Sequence, residues 1–427
     1  MPSSSDPLRR RGYIHFDEPP DRASLESMVS NAAVVARWQF MPLLSVVVKT
    51  KKIKAKDKAS GTFEIKEKER LICYASHRDA ALYGYYSSKL SDAYESVLTA
   101  SELSDVVTAF RPASGRCNIH FAVEAFKWIA GNPPCVALAY DITGFFDNLD
   151  HALLRKQICG VLSLETLPAD YFAIFKSLTR FVRVDRDSAY KAFGISRHNP
   201  RALQRKRICT ADDFRSQIVA SGLLKKHKGT AGIPQGTPIS ALLSNIYLLG
   251  FDRAINAQVT AWGGLYRRYC DDILCIVPPQ HQTDAAKLIE DEIGKVKLAI
   301  QPDKQGVYYF DGSKLLSPPL QYLGLTFDGS TTRLRVGGIA KHYSRMRGGV
   351  RSAAASRDRV AAEVGKLPKD VPIKEGKLLG RYTYAGKRNF VTYALRASKI
   401  VDSKAIKRQI SRHVPALKAA IQSKDGT

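Results

Sequence analysis

Two aspartates stand side by side in RYCDDILC, residues 268–275 of a chain that is otherwise strongly basic. Leu265, Tyr266 and Tyr269 before them, and Ile273, Leu274, Ile276 and Val277 after them, read as strand. Neighbouring side chains on a strand face opposite ways, so two adjacent acids serve one site only at a turn. LYRRYCDDILCIVP supplies that pattern: strand, acids, strand. Unpaired carboxylates held so close repel each other. A divalent cation offsets the repulsion, and Mg²⁺ takes carboxylate and phosphate oxygens. A two-metal site needs a further acid, and YDITGFFDNLDH (140–151) offers Asp141 at the end of a short apolar run. Asp141, Asp271 and Asp272 would then hold metals about 3.5–4 Å apart and stabilise both the attacking and the leaving oxygen of a phosphoryl transfer. An acid pair near a turn is equally an ordinary turn or cap, so the remaining motifs have to decide.

The elements that must position these acids are legible in outline. PCVALAYD (134–141) is a continuous apolar run, the pattern of a buried strand. Asp150 is placed to cap a helix opening with DHALLRKQI. Ile239, Leu242, Leu243, Ile246 and Leu249 fall on one helical face. After the hairpin come a helix at about 282–297, then strands to 328. From 339 onward the chain reads as helical and basic, split by Pro368 and Pro372. Residues 70–130 read as mostly helical, with an extended stretch near VVTAFRP, and Ser60-Gly61 as a turn between two strands. Ala32 to Val48, the longest apolar run, is broken by Arg37, Gln39 and Pro42 and reads as a buried element rather than a membrane span.

At 427 residues the chain is long enough for two or three packed subdomains. Its net charge of +26 is segregated. Residues 176–228 hold 14 Lys/Arg against 4 Asp/Glu, and residues 341–427 hold 21 against 6. Clustered basic charge suits a polyphosphate partner, and neither stretch has the clean amphipathic face of a membrane-surface helix. Seven cysteines without a CxxC pair argue against structural zinc and a disulfide framework and read as reduced, mostly core thiols. The N-terminus lacks the apolar core of a signal peptide, so a cytoplasmic protein is expected.

Here the sequence resembles the reverse transcriptases. YCDD looks like their (F/Y)xDD box and YDITGFFDNLDH like their first catalytic box. GIPQGTPISALLSNIYL (232–248) resembles the PQG box, and LAIQPDKQGVYYF (298–310) the lysine-bearing box after the catalytic hairpin. LQYLGLTFDG (320–329) resembles the primer grip, and VVTAFRPASGRCNIHFAVEAF (106–126) the fingers box. Six boxes in the family's order cover about residues 70–330. The continuation PISxxLSNIYL is similar to bacterial rather than viral enzymes. The NAxxH box and VTG triplet usual in retrons are absent, the nearest stretch being Val391-Thr392-Tyr393. YASHRD and GKRNFVTYALRAS resemble the unknown-group, defence-associated reverse transcriptases of bacteria, most closely type 2, which works with an adjacent non-coding RNA.

The resemblance implies site roles. Asp141, Asp271 and Asp272 become catalytic metal ligands for two Mg²⁺ ions. Phe146 becomes the steric gate beneath the sugar 2′ carbon. Gln235 and Gly236 begin a nucleotide-contacting loop, Arg111 holds the triphosphate, and Lys304 lies near the leaving pyrophosphate, where it donates a proton or neutralises charge. Each has a plain alternative: Phe146 a core aromatic, Gln235-Gly236 an empty turn, Arg111 and Lys304 exposed surface cations. Cys270 either touches the primer end or simply fits a tight hairpin. Arg205, Lys206 and Arg207 are candidate RNA contacts from the charge pattern. Tyr343, Tyr382, Tyr384, Phe390 and Tyr393 are interleaved with the C-terminal charge and could stack on unpaired bases, unless they are core.

The implied fold is α+β, a right hand. The N-terminal segment and fingers occupy 1–133, a palm 134–330 with a basic insertion at 176–228, and a helical basic thumb 331–427. The implied activity is RNA-directed DNA synthesis from dNTPs, copying a dedicated non-coding RNA that is template and scaffold into cDNA in antiphage defence, with no membrane partner. An RNA-dependent RNA polymerase, and a non-catalytic RNA-binding protein on a polymerase fold, are the alternatives; Phe146 speaks against the first and the intact acids against the second.

Overall fold

The computed structural model describes residues 6–57, 62–111, 115–312 and 318–425; the turn expected at Ser60-Gly61 lies outside them. The apolar run from Ala32 is divided between the helix Ala32–Ala36 and the strand β1 (Leu43–Asp57), because Arg37 to Pro42 end the helix. β1 pairs antiparallel with β2 (Thr62–Tyr74), in register from Leu44↔Tyr74 to Ala55↔Phe63, with a shift before Asp57↔Thr62. The part of 70–130 expected to be helical thus begins as strand; the helices His77–Ala100 and Asn118–Gly131 supply the rest.

The central sheet carries the order β6-β7-β3-β8. β3 (Cys135–Asp141) lies between β7 (Asp272–Val277) and β8 (Gly306–Phe310), antiparallel to both. Covered on both faces, β3 and β7 are apolar almost without alternation. β6 (Leu265–Tyr269) is at the edge and alternates, burying Tyr266 and Arg268. A parallel bridge from Val107 to Arg268 covers part of that edge. Behind the sheet the helices Ser240–Tyr247 and Leu249–Ala261 are packed into the main core. The first was expected to be apolar along one face; instead Ser240 and Leu242 to Tyr247 are all buried. The helix Gln282–Lys295 falls where a helix was expected.

A second core joins the central sheet to the C-terminal region. Phe126, Leu274 and Ile276 meet residues of β9 (Leu320–Tyr322), β10 (Leu325–Phe327) and β11 (Thr332–Leu334), and the helix Phe390–Val401. Beyond Val336 the chain is helical, with Met346, Val350, Leu378 and Leu417 forming the centre of its own small core.

The basic stretch 176–228 was expected as an insertion interrupting the palm. In the fold it adds to the β1–β2 layer. Its strand β4 (Val182–Asp185) runs parallel to β1, from Leu43↔Arg183 to Ser45↔Asp185, and β5 (Lys225–Lys226) pairs with β4. Val184, Tyr190, Ile208 and Ile218 share a core with Ile14, Phe16 and Leu44, so apolar contacts tie this stretch to the N-terminal segment. All seven cysteines are free thiols, six of them buried. No helix among the described residues is long and apolar enough to cross a membrane.

Candidate active site

The hairpin β6–β7 turns through Cys270 and Asp271, with Tyr269 opposite Asp272. Cys270 has φ +60°, the left-handed region that favours glycine. A side chain held there costs roughly 1–2 kcal/mol, and the surroundings must hold it. Arg268 does so from below: its Nη1 donates to the Cys270 carbonyl at 3.0 Å. Arg268 is fully buried, and so is its partner Asp252, which takes Nε at 2.7 Å and Nη2 at 2.6 Å. Nη1 also donates to Asn245 Oδ1 (3.1 Å), and Tyr266 donates its hydroxyl to Asp252 (2.8 Å). Every charge in this network is matched, as a buried pair requires.

Across the sheet Asp141 pairs in register with Asp272, and the Ile142 amide donates to the Asp271 carbonyl (3.1 Å). The two strands thereby bring the three expected acids together at one end of the sheet. Burial pushes the Asp272 carboxyl up to about 7, reinforced by the negative charges of Asp271 and Asp141 and opposed by Lys304 and Arg335. Lys304 stands on the short turn Pro302–Lys304, and its ammonium donates directly to Asp141. No three His, Cys, Asp or Glu side chains among the described residues converge as a metal cage. Asp271 and Asp141 nonetheless stand near enough to Asp272 for their negative charges to raise it. Crowded carboxylates of this kind fit a divalent cation, which would relieve the repulsion that raises Asp272.

Phe146 lies on the turn Phe145–Asp147, which follows Gly144 in the left-handed region (φ +52°). Phe145 is buried and Phe146 only partly so. The Phe146 carbonyl accepts from the Ile233 amide at 2.9 Å, which sets the first acid's loop beside the loop holding Gln235 and Gly236. Gly236 (φ +114°) needs its missing side chain: a Cβ there would meet the Cys73 carbonyl at 2.6 Å. The Cys73 amide donates to the Gln235 carbonyl at 2.8 Å, fixing this loop to the end of β2.

Two of the residues expected to contact ligand have partners within the protein. Arg111, assigned to the triphosphate, has its guanidinium tied to Glu95 on the His77–Ala100 helix, with Nε donating at 2.8 Å, and Nη1 donates to the Val107 carbonyl (2.8 Å). Here it braces the fingers helix against the strand-like 106–108 stretch. Tyr382, assigned to base stacking, is buried in the C-terminal core. Tyr384 is the exposed ring, at 64 %, while Tyr343, Phe390 and Tyr393 are half-buried. Lys206 and Arg207 are exposed; Arg205 is half-buried, donating to the Ile208 carbonyl (3.1 Å).

Sequence reasoning passed over Arg268, Asp252 and Asn245. The signal was present: Asn245 and Asp252 are polar residues seven apart in a run otherwise apolar enough for the core, and alternation along β6 turns Arg268 inward. Arg335, at the base of the Val336–Glu363 helix and electrostatically felt by Asp272, was also missed.

The family model described as reverse transcriptase (RNA-dependent DNA polymerase) matches residues 180–327. Residues 180–327 are therefore similar to a reverse transcriptase domain, within an α+β fold whose C-terminal region is helical. The match takes in the Gln235-Gly236 loop, the aspartate hairpin, Lys304 and β9–β10. It begins after Asp141, whose place follows from the β3–β7 register. No curated protein matches the sequence. Among solved structures, the chain is similar to apo telomerase from Candida tropicalis truncated from the C-terminal domain, at 12% identity and TM-score 0.40, covering 68% of this chain and 57% of that one. It is similar to telomerase from Candida albicans in complex with a TWJ fragment of telomeric RNA, at 12% identity and TM-score 0.40, covering 95% and 64%. The chain spans less than two thirds of both.

Proposed function

We propose that the chain is an RNA-directed DNA polymerase that copies a dedicated non-coding RNA into cDNA, in bacterial antiphage defence. The observation that carries the polymerase reading is the pairing of Asp141 with Asp272 on adjacent strands, with Asp271 at the turn and Lys304 on Asp141. Asp141, Asp271 and Asp272 would hold Mg²⁺, which when bound supplies charge neutralisation at the attacking and leaving oxygens. Lys304 keeps a positive charge beside Asp141, where an incoming polyphosphate needs one. Phe146 limits the room below the sugar, and the Gln235-Gly236 loop brings backbone close to the nucleotide. The exposed cations of 176–228 and 341–427 and the Tyr384 ring support RNA as the partner. The defence role and the single dedicated RNA are supported by the likeness of YASHRD and GKRNFVTYALRAS to type 2 defence-associated enzymes. Sequencing RNA and cDNA that copurify with the protein tests this: one dominant RNA with cDNA complementary to part of it is expected, and a broad cellular RNA population would end the dedicated-RNA reading.

A further inference from the structure

A cavity of 430 Å³ opens between the N-terminal segment and the loop at 201–206. That volume is within the range of ligand sites, about 300–1,000 Å³. Its walls carry Arg10, Arg11, Arg201, Arg205 and Lys206, with Tyr13 among them and no carboxylate. Two acids follow in the chain, and both are engaged elsewhere. Asp17 accepts the backbone N–H groups of His77 (2.9 Å) and Arg78 (3.0 Å), and Glu18 faces Arg207 at 3.6 Å. The cavity's own cations turn to backbone instead: Arg201 donates to the Gly12 carbonyl, Arg205 to Ile208, and Arg11 to Ala80 at a long 3.5 Å. Burial pulls the Arg11 guanidinium below its usual value, opposed by Tyr13 and helped by the charge of Arg9. Five like charges gathered round one concavity repel unless an anion shares it.

The cavity is joined to the nucleotide loop by three consecutive residues. The Tyr13 ring packs on Tyr74 (4.8 Å between centroids), and its hydroxyl donates to the Ala75 carbonyl at 2.8 Å. One residue earlier, the Cys73 amide holds Gln235. We infer that this cavity grips backbone phosphates of an RNA strand, using residues that all lie outside the acid centre. A strand fits better than a free anion because the cations come from two separate segments of the chain and continue into the basic stretch 176–228, a spread that matches successive phosphates. RNA as the strand rests on the reading of the chain as an RNA-copying enzyme.

The test is binding of a fluorescent 20-nucleotide single-stranded RNA to the full chain across a salt series. Arg10 and Lys206 are both exposed, so Arg10→Gln with Lys206→Gln should leave the fold intact, checked by thermal unfolding. Two lost phosphate contacts should weaken binding about tenfold near 0.15 M salt and reduce the slope of log K against log salt by about 1.4. Lys287→Gln with Lys295→Gln, which removes the same charge from the palm helix, should leave the slope unchanged. Unchanged affinity and slope in the first pair, or equal changes in both pairs, would overturn the proposal, as would loss of inorganic phosphate binding with RNA binding intact. The measurement needs no DNA synthesis. If the unaltered chain extends no primer, the polymerase reading fails and the binding result still stands.

Discussion

The palm hairpin and the C-terminal helical region hold charge in opposite ways. Under the hairpin, Arg268 and Asp252 are fully buried, bonded to each other and to Asn245, Tyr266 and the Cys270 carbonyl. In the C-terminal region Arg345, Arg347, Arg351, Lys377 and Arg381 face solvent, while Tyr382 lies inside. Buried charge fixes geometry because leaving it unpaired is costly, whereas exposed charge attracts a partner at little structural cost. The first region therefore fixes the turn that carries Asp271, and the second offers a charged surface. Asp271 and Asp272 mark the boundary between the two uses, acids fixed by the sheet but not neutralised by it.

The comparison breaks most severely at the acids. Asp271→Ala with Asp272→Ala should abolish DNA synthesis while RNA affinity stays within a factor of about two, since the cations that hold RNA are untouched. Normal cDNA yield from this variant would remove the acids from the chemistry. Next comes the support beneath them. Asp252→Asn or Arg268→Met leaves a buried charge without its partner and should lower unfolding free energy by about 3–5 kcal/mol in denaturant titrations. Arg268→Met with Asp252→Leu should recover part of that loss but not the synthesis rate, because the Cys270 carbonyl loses its donor. If the double variant synthesises normally, the network is structural and does not position the turn.

Neighbouring tyrosines sharpen the contrast within the C-terminal region. Tyr382→Ala should cost about 3 kcal/mol of stability, as removal of a buried ring does. Tyr384→Ala should leave stability near native and weaken RNA binding by about 1–3 kcal/mol, the worth of one base stacked on an aromatic ring. The reverse pattern in calorimetry and binding would exchange their roles. The smallest effect is expected at Phe146. Phe146→Ala should raise incorporation of ribonucleotides relative to deoxyribonucleotides in competition assays, with the unaltered acids still supporting synthesis; a fixed ratio would place the gate elsewhere.

What was legible in the sequence follows the same division. A strand leaves each side chain two directions and a two-residue turn leaves almost none, so Asp141, Asp271 and Asp272 could be brought together from residue order alone. Asp150 capping its helix was equally local, and its side chain does accept the Leu153 amide at 2.9 Å. Contacts set by distant partners were not legible. The pairing of Arg111 with Glu95 joins positions 16 apart across a loop and a helix. The course of 176–228 was hidden because β4 adds in parallel to β1, more than a hundred residues earlier. On the C-terminal helices, which aromatic faces inward depends on the neighbouring helices, and charge periodicity alone does not select Tyr384 over Tyr382.

The proposed role of these acids is RNA-directed DNA synthesis. Its most direct test gives the purified full chain a primed RNA template of defined length, with Mg²⁺ and either the four dNTPs or the four NTPs. Template-length DNA made from dNTPs, abolished by chelation of the metal and far exceeding any product from NTPs, is the predicted result. Extension with NTPs alone, or none with either set on templates that the protein demonstrably binds, would contradict it.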